Sequence, residues 1–280
     1  MPASRFLPAG FDSSAPLLLI AGKGNYPKET LARARAAGIP VRLAAFEGET
    51  DADLYEAFAP GDRAMMNVGQ LGRLIKSARN FGAKHAIMAG QITPGRLFRG
   101  LKPDLKALAV LATLRERNAE TIFGAIASEL AKAGCGLLDA RSFLDDALAP
   151  AGFFAGSKWD VRPEHLAHGL KIARGCAELD IGQSCVVARG SVLAVEGFEG
   201  TDKMIERAGG FGARDALFVK TVKPRQDYRF DVPVVGERTV RKLAAAGIRN
   251  VAVEAGKVIL LEPEKVAALA RENGIRIFGA

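Results

Sequence analysis

Cysteine is scarce in this sequence and shows no pairing pattern: Cys135, Cys176 and Cys185 are odd in number, far apart and form no CxxC. That argues against a disulfide framework or a zinc knot and suits a reducing, cytoplasmic setting. Aromatics are also few, with one Trp and three Tyr. Bases would have little to stack upon, and Lys and Arg are scattered, so nucleic acid is not the expected partner. No apolar run approaches the roughly 20 residues of a membrane span. The opening MPASRFLPAGFDSSAP has one Arg and no continuous apolar core, which reads as a loosely held extension rather than a signal peptide. Internal repeats and low-complexity tracts are missing too.

What is present fits a globular chain with a real core. Of 280 residues, 49% are hydrophobic and 25% charged, and the length favours two domains over one. The formal charge of +8 points to anionic partners, phosphorylated metabolites and acidic phospholipid among them.

The first half alternates strand and helix patterns. PLLLIA (16–21), VRLAAF (41–46), RAMMNV (63–68) and KHAIMAG (84–90) read as strands. Helices are expected after Pro27, over 70–81, near 104–116 and over 118–133. Strands separated by helices at this spacing predict a parallel sheet with right-handed crossovers. The second half predicts a helix over 162–178 and a CVVARGSVLAVE hairpin turning at Arg189-Gly190. A helix near 201–208, a strand at 216–222 and a helix near 237–246 follow. A second hairpin, NVAVEAGKVILLE, is expected to turn at Ala255-Gly256, and the last helix to span 264–273. The expected class is therefore α/β: a Rossmann-like N-terminal domain (1–134), a connector (135–160) and a mixed α/β catalytic domain with hairpins (161–280).

Three glycine turns follow strands on one expected edge: Gly22-Lys23-Gly24, Gly69-Gln70-Leu71-Gly72 and Gly90-Gln91. In an open parallel sheet ligands gather at that edge. A GxGxxG dinucleotide fingerprint is broken by Pro27, although Glu47 at the end of the second strand imitates its ribose-binding acid. Gly22, Gly24, Gly69 and Gln91 are the expected nucleotide-side residues. His165 and His168 lie one helical turn apart, and no third soft ligand is placed beside them.

The densest mixture of acids and bases runs from Asp180 to Thr239. Glu196, Glu199, Thr201, Asp202 and Lys203 surround the turn GFEGTD, where a capped helix start competes for Thr201 and Asp202. Lys220 ends an apolar run, and Lys223, Gln226, Asp227, Arg229 and Asp231 follow. An extended chain here would point Asp227, Arg229 and Asp231 to one side. Carboxylates alternating with cations at strand ends suit an oxygen-ligand metal with a phosphate-bearing substrate.

The blocks DIGQ (180–183), AVEGFEGTD (194–202), VKPRQDYRFDVP (222–233) and GERTV (236–240) resemble signatures of the UDP-2,3-diacylglucosamine pyrophosphatase family, the type that is not calcineurin-like. LLLIAGKGNYP (17–27), NVGQLGRLIKSARNFGAKHAIMAGQI (67–92) and VEAGKVIL (253–260) extend the resemblance over nearly the whole chain. It implies hydrolysis of UDP-2,3-diacylglucosamine to 2,3-diacylglucosamine 1-phosphate and UMP in lipid A biosynthesis. Water would attack the phosphorus on the sugar side, with a divalent metal (Mg²⁺ or Mn²⁺) and the substrate held between two domains. Asp227 matches the essential aspartate. An acidic pair expected before an apolar helix is replaced by Asn118-Ala119-Glu120-Thr121.

Within this reading Asp227, Asp231, Gln226, Arg229 and Lys223 are catalytic candidates. Asp227, Asp231 and Glu196 are candidate metal ligands, with Glu199 an alternative supporting acid. Glu199, Thr201, Lys203 and Lys220 are candidate substrate contacts. Phe153, Phe154 and Trp159 could line an acyl channel or simply pack. An acylated substrate implies peripheral contact with the inner-membrane surface from the cytoplasm, and a homo-oligomer stays open. An NAD-dependent oxidoreductase on a sugar nucleotide and a non-catalytic carrier of an acylated sugar phosphate are the competing readings.

Overall fold

The structure, a computed structural model, describes residues 4–93, 102–116 and 119–280. Asn118 lies outside the described residues. Two compact units divide the chain: Met1–Asp145 with Tyr228–Phe230, and Asp146–Asp227 with Asp231–Ala280.

The first unit holds strands β1 (Leu17–Ala21), β2 (Val41–Phe46), β3 (Arg63–Met66), β4 (His85–Ala89) and β5 (Gly136–Leu137). They form one sheet in the order β3-β2-β1-β4-β5, with every pairing parallel. Helices α1 (Asn25–Ala36), α2 (Ala52–Glu56), α3 (Leu71–Asn80), α4 (Leu105–Thr113) and α5 (Ala119–Lys132) accompany it. LLLIA becomes the central strand because a parallel strand covered on both faces needs a continuous apolar run. All of β1 is buried, and each fully buried leucine contributes about 2 kcal/mol of hydrophobic stabilisation. The chain crosses from β1 outward to β2 and β3, then returns to place β4 on the other side of β1. That reversal opens a crevice at the carboxyl ends of β1 and β4.

The N-terminal extension is tied down rather than loose. Phe6 lies under the Arg141 guanidinium at 4.3 Å, Phe11 meets His85 at 5.2 Å, and the Arg5 amide donates to Asp145. Two apolar rings spaced along the segment supply the burial that its composition hides.

The second unit contains β6 (Gly152–Ala155), α6 (Pro163–Glu178), β7 (Ser184–Ala188), β8 (Ser191–Val195), α7 (Thr201–Gly209) and β9 (Leu217–Lys220). Then come β10 (Val234–Val235), α8 (Glu237–Ala245), β11 (Asn250–Val253), β12 (Ile259–Leu260), α9 (Pro263–Glu272) and β13 (Arg276–Gly279). Its main sheet runs β6-β13-β11-β9-β7-β8, parallel through β13, β11 and β9 and antiparallel at both margins. The β7–β8 hairpin turns at Arg189-Gly190, both with positive φ (50° and 79°), as a tight twisted turn demands. One face is filled by Phe218, Met204, Ile205 and Val251, and the other by α6 through Ala173 against Cys185, Val187, Leu217 and Val219.

Two expectations are overturned here. NVAVEAGKVILLE is not a hairpin: β11 is flanked on both edges by β9 and β13, so β12 pairs in parallel with β10 as a separate two-stranded sheet. Residues 136–160 are not merely a connector, since they supply the edge strands β5 and β6.

Candidate functional site

At the β1–β4 crevice of the first unit, Lys23 and Gln91 form an antiparallel bridge. Gly22 passes so close to the Gln91 main chain that a Cβ would sit 2.4 Å from its carbonyl oxygen. No larger residue fits there. The α1 helix opens at Gly24 with no side-chain cap and no acid in its first turn, which favours an anion. Lys23 Nζ donates to Thr93 Oγ1 at 2.6 Å and lies 3.3 Å from the Glu49 carboxylate, whose side chain is fully buried. Thr93 donates through its amide and hydroxyl to Glu49 Oε2 at 2.9 and 3.0 Å. The structure thus brings Gly22, Gly24 and Gln91 together, while Gly69 follows β3, two strands away from β1. Sequence reasoning assigned no role to Lys23, Glu49 or Thr93; a lysine inside a Gly-x-Gly turn was the available signal.

The second unit gathers polar groups where β9 ends and β7 and α7 begin. Ser184 and Lys220 are register partners across the β7–β9 pair. Glu196, just beyond β8, accepts from Ser184 Oγ at 2.6 Å with Oε2 and from Thr201 Oγ1 at 2.5 Å with Oε1. The ammonium of Lys220, only 8% exposed, donates in turn to Thr201 Oγ1 at 3.1 Å. Burial pushes the Glu196 carboxyl up, but the Lys220 charge and the two hydroxyl donors outweigh it and hold the group below the usual range. Gly182 makes this possible: a Cβ there would meet the Glu196 carbonyl at 2.2 Å.

Beside this cluster, Asp231 Oδ2 accepts two amide donors, Gln183 Nε2 at 2.7 Å and Gln226 Nε2 at 2.6 Å. Gln226 also donates to the Asp231 carbonyl at 2.7 Å, and its Oε1 accepts from the Lys223 amide at 2.9 Å. The backbone joins the two groups, because the Thr221 amide donates to the Gln183 carbonyl at 2.8 Å. The segment is not extended as expected. Residues 223–226 close one turn, and the Asp231 amide donates to the Asp227 carbonyl at 3.1 Å in another. Alternation of side chains along an extended strand therefore does not apply to Asp227, Arg229 and Asp231.

The other candidates are dispersed. Glu199 is exposed and paired with Arg207 at 2.6 Å, away from the hydroxyls that hold Glu196. Lys203 is exposed on α7, and Asp202 pairs with Arg238. Lys223 pairs with Asp180. Arg229 lies in the Tyr228–Phe230 stretch of the first unit, its guanidinium 5.9 Å from the Phe230 ring. There Arg141 stacks on Tyr228 at 3.4 Å, and Phe230 stacks on Phe123 at 5.6 Å. Trp159 stacks on Phe278 at 4.8 Å, Phe154 packs on the core and Phe153 is about half exposed. Burial pushes the Cys135 thiol up to about 11 and the Cys185 thiol up to about 12, so neither is a nucleophile at neutral pH.

Among the described residues no three His, Cys, Asp or Glu side chains converge as a metal cage. Magnesium needs less, because it keeps several waters and takes one or two carboxylates. Asp231 fits such a role: neutral amides orient one oxygen and no cation among the described residues is paired with it. Glu196 fits poorly, since hydroxyls occupy both of its oxygens and Lys220 supplies its counter-charge.

Two α/β units, each with polar groups assembled at a sheet end, define the class, and each unit has a family counterpart. Residues 16–147 match the LpxI N-terminal domain and residues 150–278 the LpxI C-terminal domain. A relative from Caulobacter vibrioides, UDP-2,3-diacylglucosamine pyrophosphatase LpxI, is 32% identical over 278 residues, covering 93% of this chain and 96% of the relative. The chain belongs to the LpxI family.

Proposed function

We propose that the protein hydrolyses the pyrophosphate bond of UDP-2,3-diacylglucosamine, giving 2,3-diacylglucosamine 1-phosphate and UMP. The observation that carries this reading is the end-to-end similarity to a relative named for that activity. The polar cluster of the second unit agrees with it chemically. A pyrophosphate diester repels incoming hydroxide, so catalysis rests on neutralising and positioning its oxygens.

Lys220 and the α7 N-terminus at Thr201 receive phosphate oxygens, and Glu196 keeps Lys220 charged and aimed. Asp231, oriented by Gln183 and Gln226, would hold a magnesium or manganese ion, with Asp227 the candidate for a second carboxylate. When bound, that ion supplies counter-charge to the diphosphate. Asp231 also accepts from the attacking water. In the first unit, Gly22, Gly24 and Gln91 at the open start of α1 form a seat for the nucleotide, with Lys23 beside it.

An acylated substrate places the protein at the cytoplasmic face of the inner membrane as a peripheral component. No helix among the described residues is long and apolar enough to cross a membrane. The deciding assay incubates the purified chain with UDP-2,3-diacylglucosamine and follows UMP. Release that stops with EDTA and returns with Mg²⁺ is expected. Binding without turnover, or a change in nicotinamide absorbance instead, overturns the reading. Isotope from ¹⁸O-water is expected in the sugar 1-phosphate; isotope in UMP reverses the side of attack.

A further inference from the structure

Between Arg63 and Arg115 the sequence contains ten Lys or Arg residues and a single acid, Asp104. The structure removes that acid from the surface balance. Asp104 caps α4 by accepting the Ala107 amide at 2.9 Å, and its other oxygen accepts the Gly72 and Arg73 amides of α3 at 2.7 and 3.3 Å. Helices α3 and α4 therefore start from one corner of the first unit. On α3, Leu71, Leu74, Ile75 and Ala78 are buried, whereas Arg73, Lys76 and Arg79 are exposed at three-residue spacing, a single stripe. None of the three pairs with a carboxylate among the described residues, nor does exposed Lys102 just before α4.

Helix α4 exposes leucines on its outer side, and its exposed Lys106 is tied to Glu129 of α5. Leu105 is 86% exposed and Leu108 49%, and Ala107 is the one buried residue of this helix. Exposed leucines next to unpaired cations are the composition of an interfacial membrane contact, in which apolar side chains enter the headgroup region and cations meet anionic lipid. A second copy of this chain is a poor occupant, because the same cation stripe would face its own charge. We propose that α3 and α4 form a docking face for the surface of an anionic phospholipid bilayer, with Leu105 and Leu108 inserted and Arg73, Lys76 and Arg79 against the headgroups. The proposal gives a location to the membrane contact inferred from the acylated substrate, and it rests on that reading only for its purpose.

The test is co-sedimentation of the full chain with vesicles of phosphatidylcholine, with and without phosphatidylglycerol. Wild type is expected to bind the anionic vesicles and to ignore the neutral ones. Each surface cation is worth about fivefold in binding, so R73A/K76A/R79A should lose roughly a hundredfold in vesicle affinity. L105S/L108S should lose roughly tenfold or more. Circular dichroism melts identify either variant that fails to fold; R73A/K76A/R79A changes only exposed side chains and keeps the test decisive. Failure of wild type to bind, or undiminished binding by folded variants, overturns the proposal. So does a concentration-dependent dimer abolished by L105S/L108S with vesicle binding intact. Hydrolysis of a soluble short-chain substrate analogue, measured in parallel, is expected to be unchanged in both variants. Turnover without vesicle binding refutes the docking face alone, and vesicle binding through this face without turnover refutes only the hydrolytic reading.

Discussion

Gln183 Nε2 lies 2.7 Å from Asp231 Oδ2, joining residues 48 positions apart in the sequence. An amide at that distance orients the carboxylate without neutralising it, unlike the Lys or Arg partner common for a half-buried acid. Removing such a support costs about 10–100-fold in activity or metal affinity. Gln183→Ala is expected to lower kcat in that range and to raise the Mg²⁺ concentration needed for half-maximal rate. Gln183→Glu should fare worse, since it places a like charge against Asp231. Steady-state kinetics over a magnesium series checks both.

Asp227 sits at the start of the turn that closes on Asp231. Asp227→Ala should reduce kcat by roughly a thousandfold or more while substrate still binds, the pattern of an interaction made in the transition state. Calorimetric binding alongside turnover separates the two, and near-normal turnover in the pure variant removes the assigned role.

Glu196 carries a pH signature. Its carboxyl is held low in the folded state by Lys220 and the Ser184 and Thr201 hydroxyls, against the upward push of burial. A depressed folded value means the stabilisation is present above the unfolded value near 4.3 and is lost as pH falls through the folded one. Glu196→Gln should therefore melt below wild type at neutral pH. The difference should shrink as the pH falls through the lowered folded value, where the native carboxylate also becomes neutral. A difference independent of pH contradicts the charged pairing.

Gly22→Ala should be destabilising despite the small change. The new methyl would lie 2.4 Å from the Gln91 carbonyl oxygen, so the β1 and β4 turns must separate. Overpacking of this kind costs about 1–3 kcal/mol. A lowered melting temperature with weakened UMP binding is the expected outcome, and an unchanged melt speaks against a close-packed crevice.

Much of this architecture was readable in advance, for physical reasons. The central strands announce themselves because burial on both faces demands continuous apolar runs, and Arg189-Gly190 between two such runs fixes a hairpin. The β12 pairing was illegible because two apolar residues cannot state whether their partner lies next in sequence or at β10. Short margin strands such as β5 and β6 carry too few residues to show a period. In the site, charge density exposed Glu196, Lys220 and Asp231, whose types the chemistry requires. Gln183 was quoted within a block but gained no role, since an uncharged amide advertises nothing until its partner is known. Lys23, Thr93 and Glu49 meet across separations of 70 and 44 residues, which no local pattern encodes.

The silent thiols of Cys135 and Cys185 offer a practical opening. Maleimide reagents attack thiolate, and the burial that lifts these two groups to about 11 and about 12 withholds it near neutrality. A cysteine introduced as Leu105→Cys, at a position 86% exposed, should outcompete them for a fluorophore, so that only the partly buried Cys176 has to be replaced to turn the protein into a spectroscopic reporter.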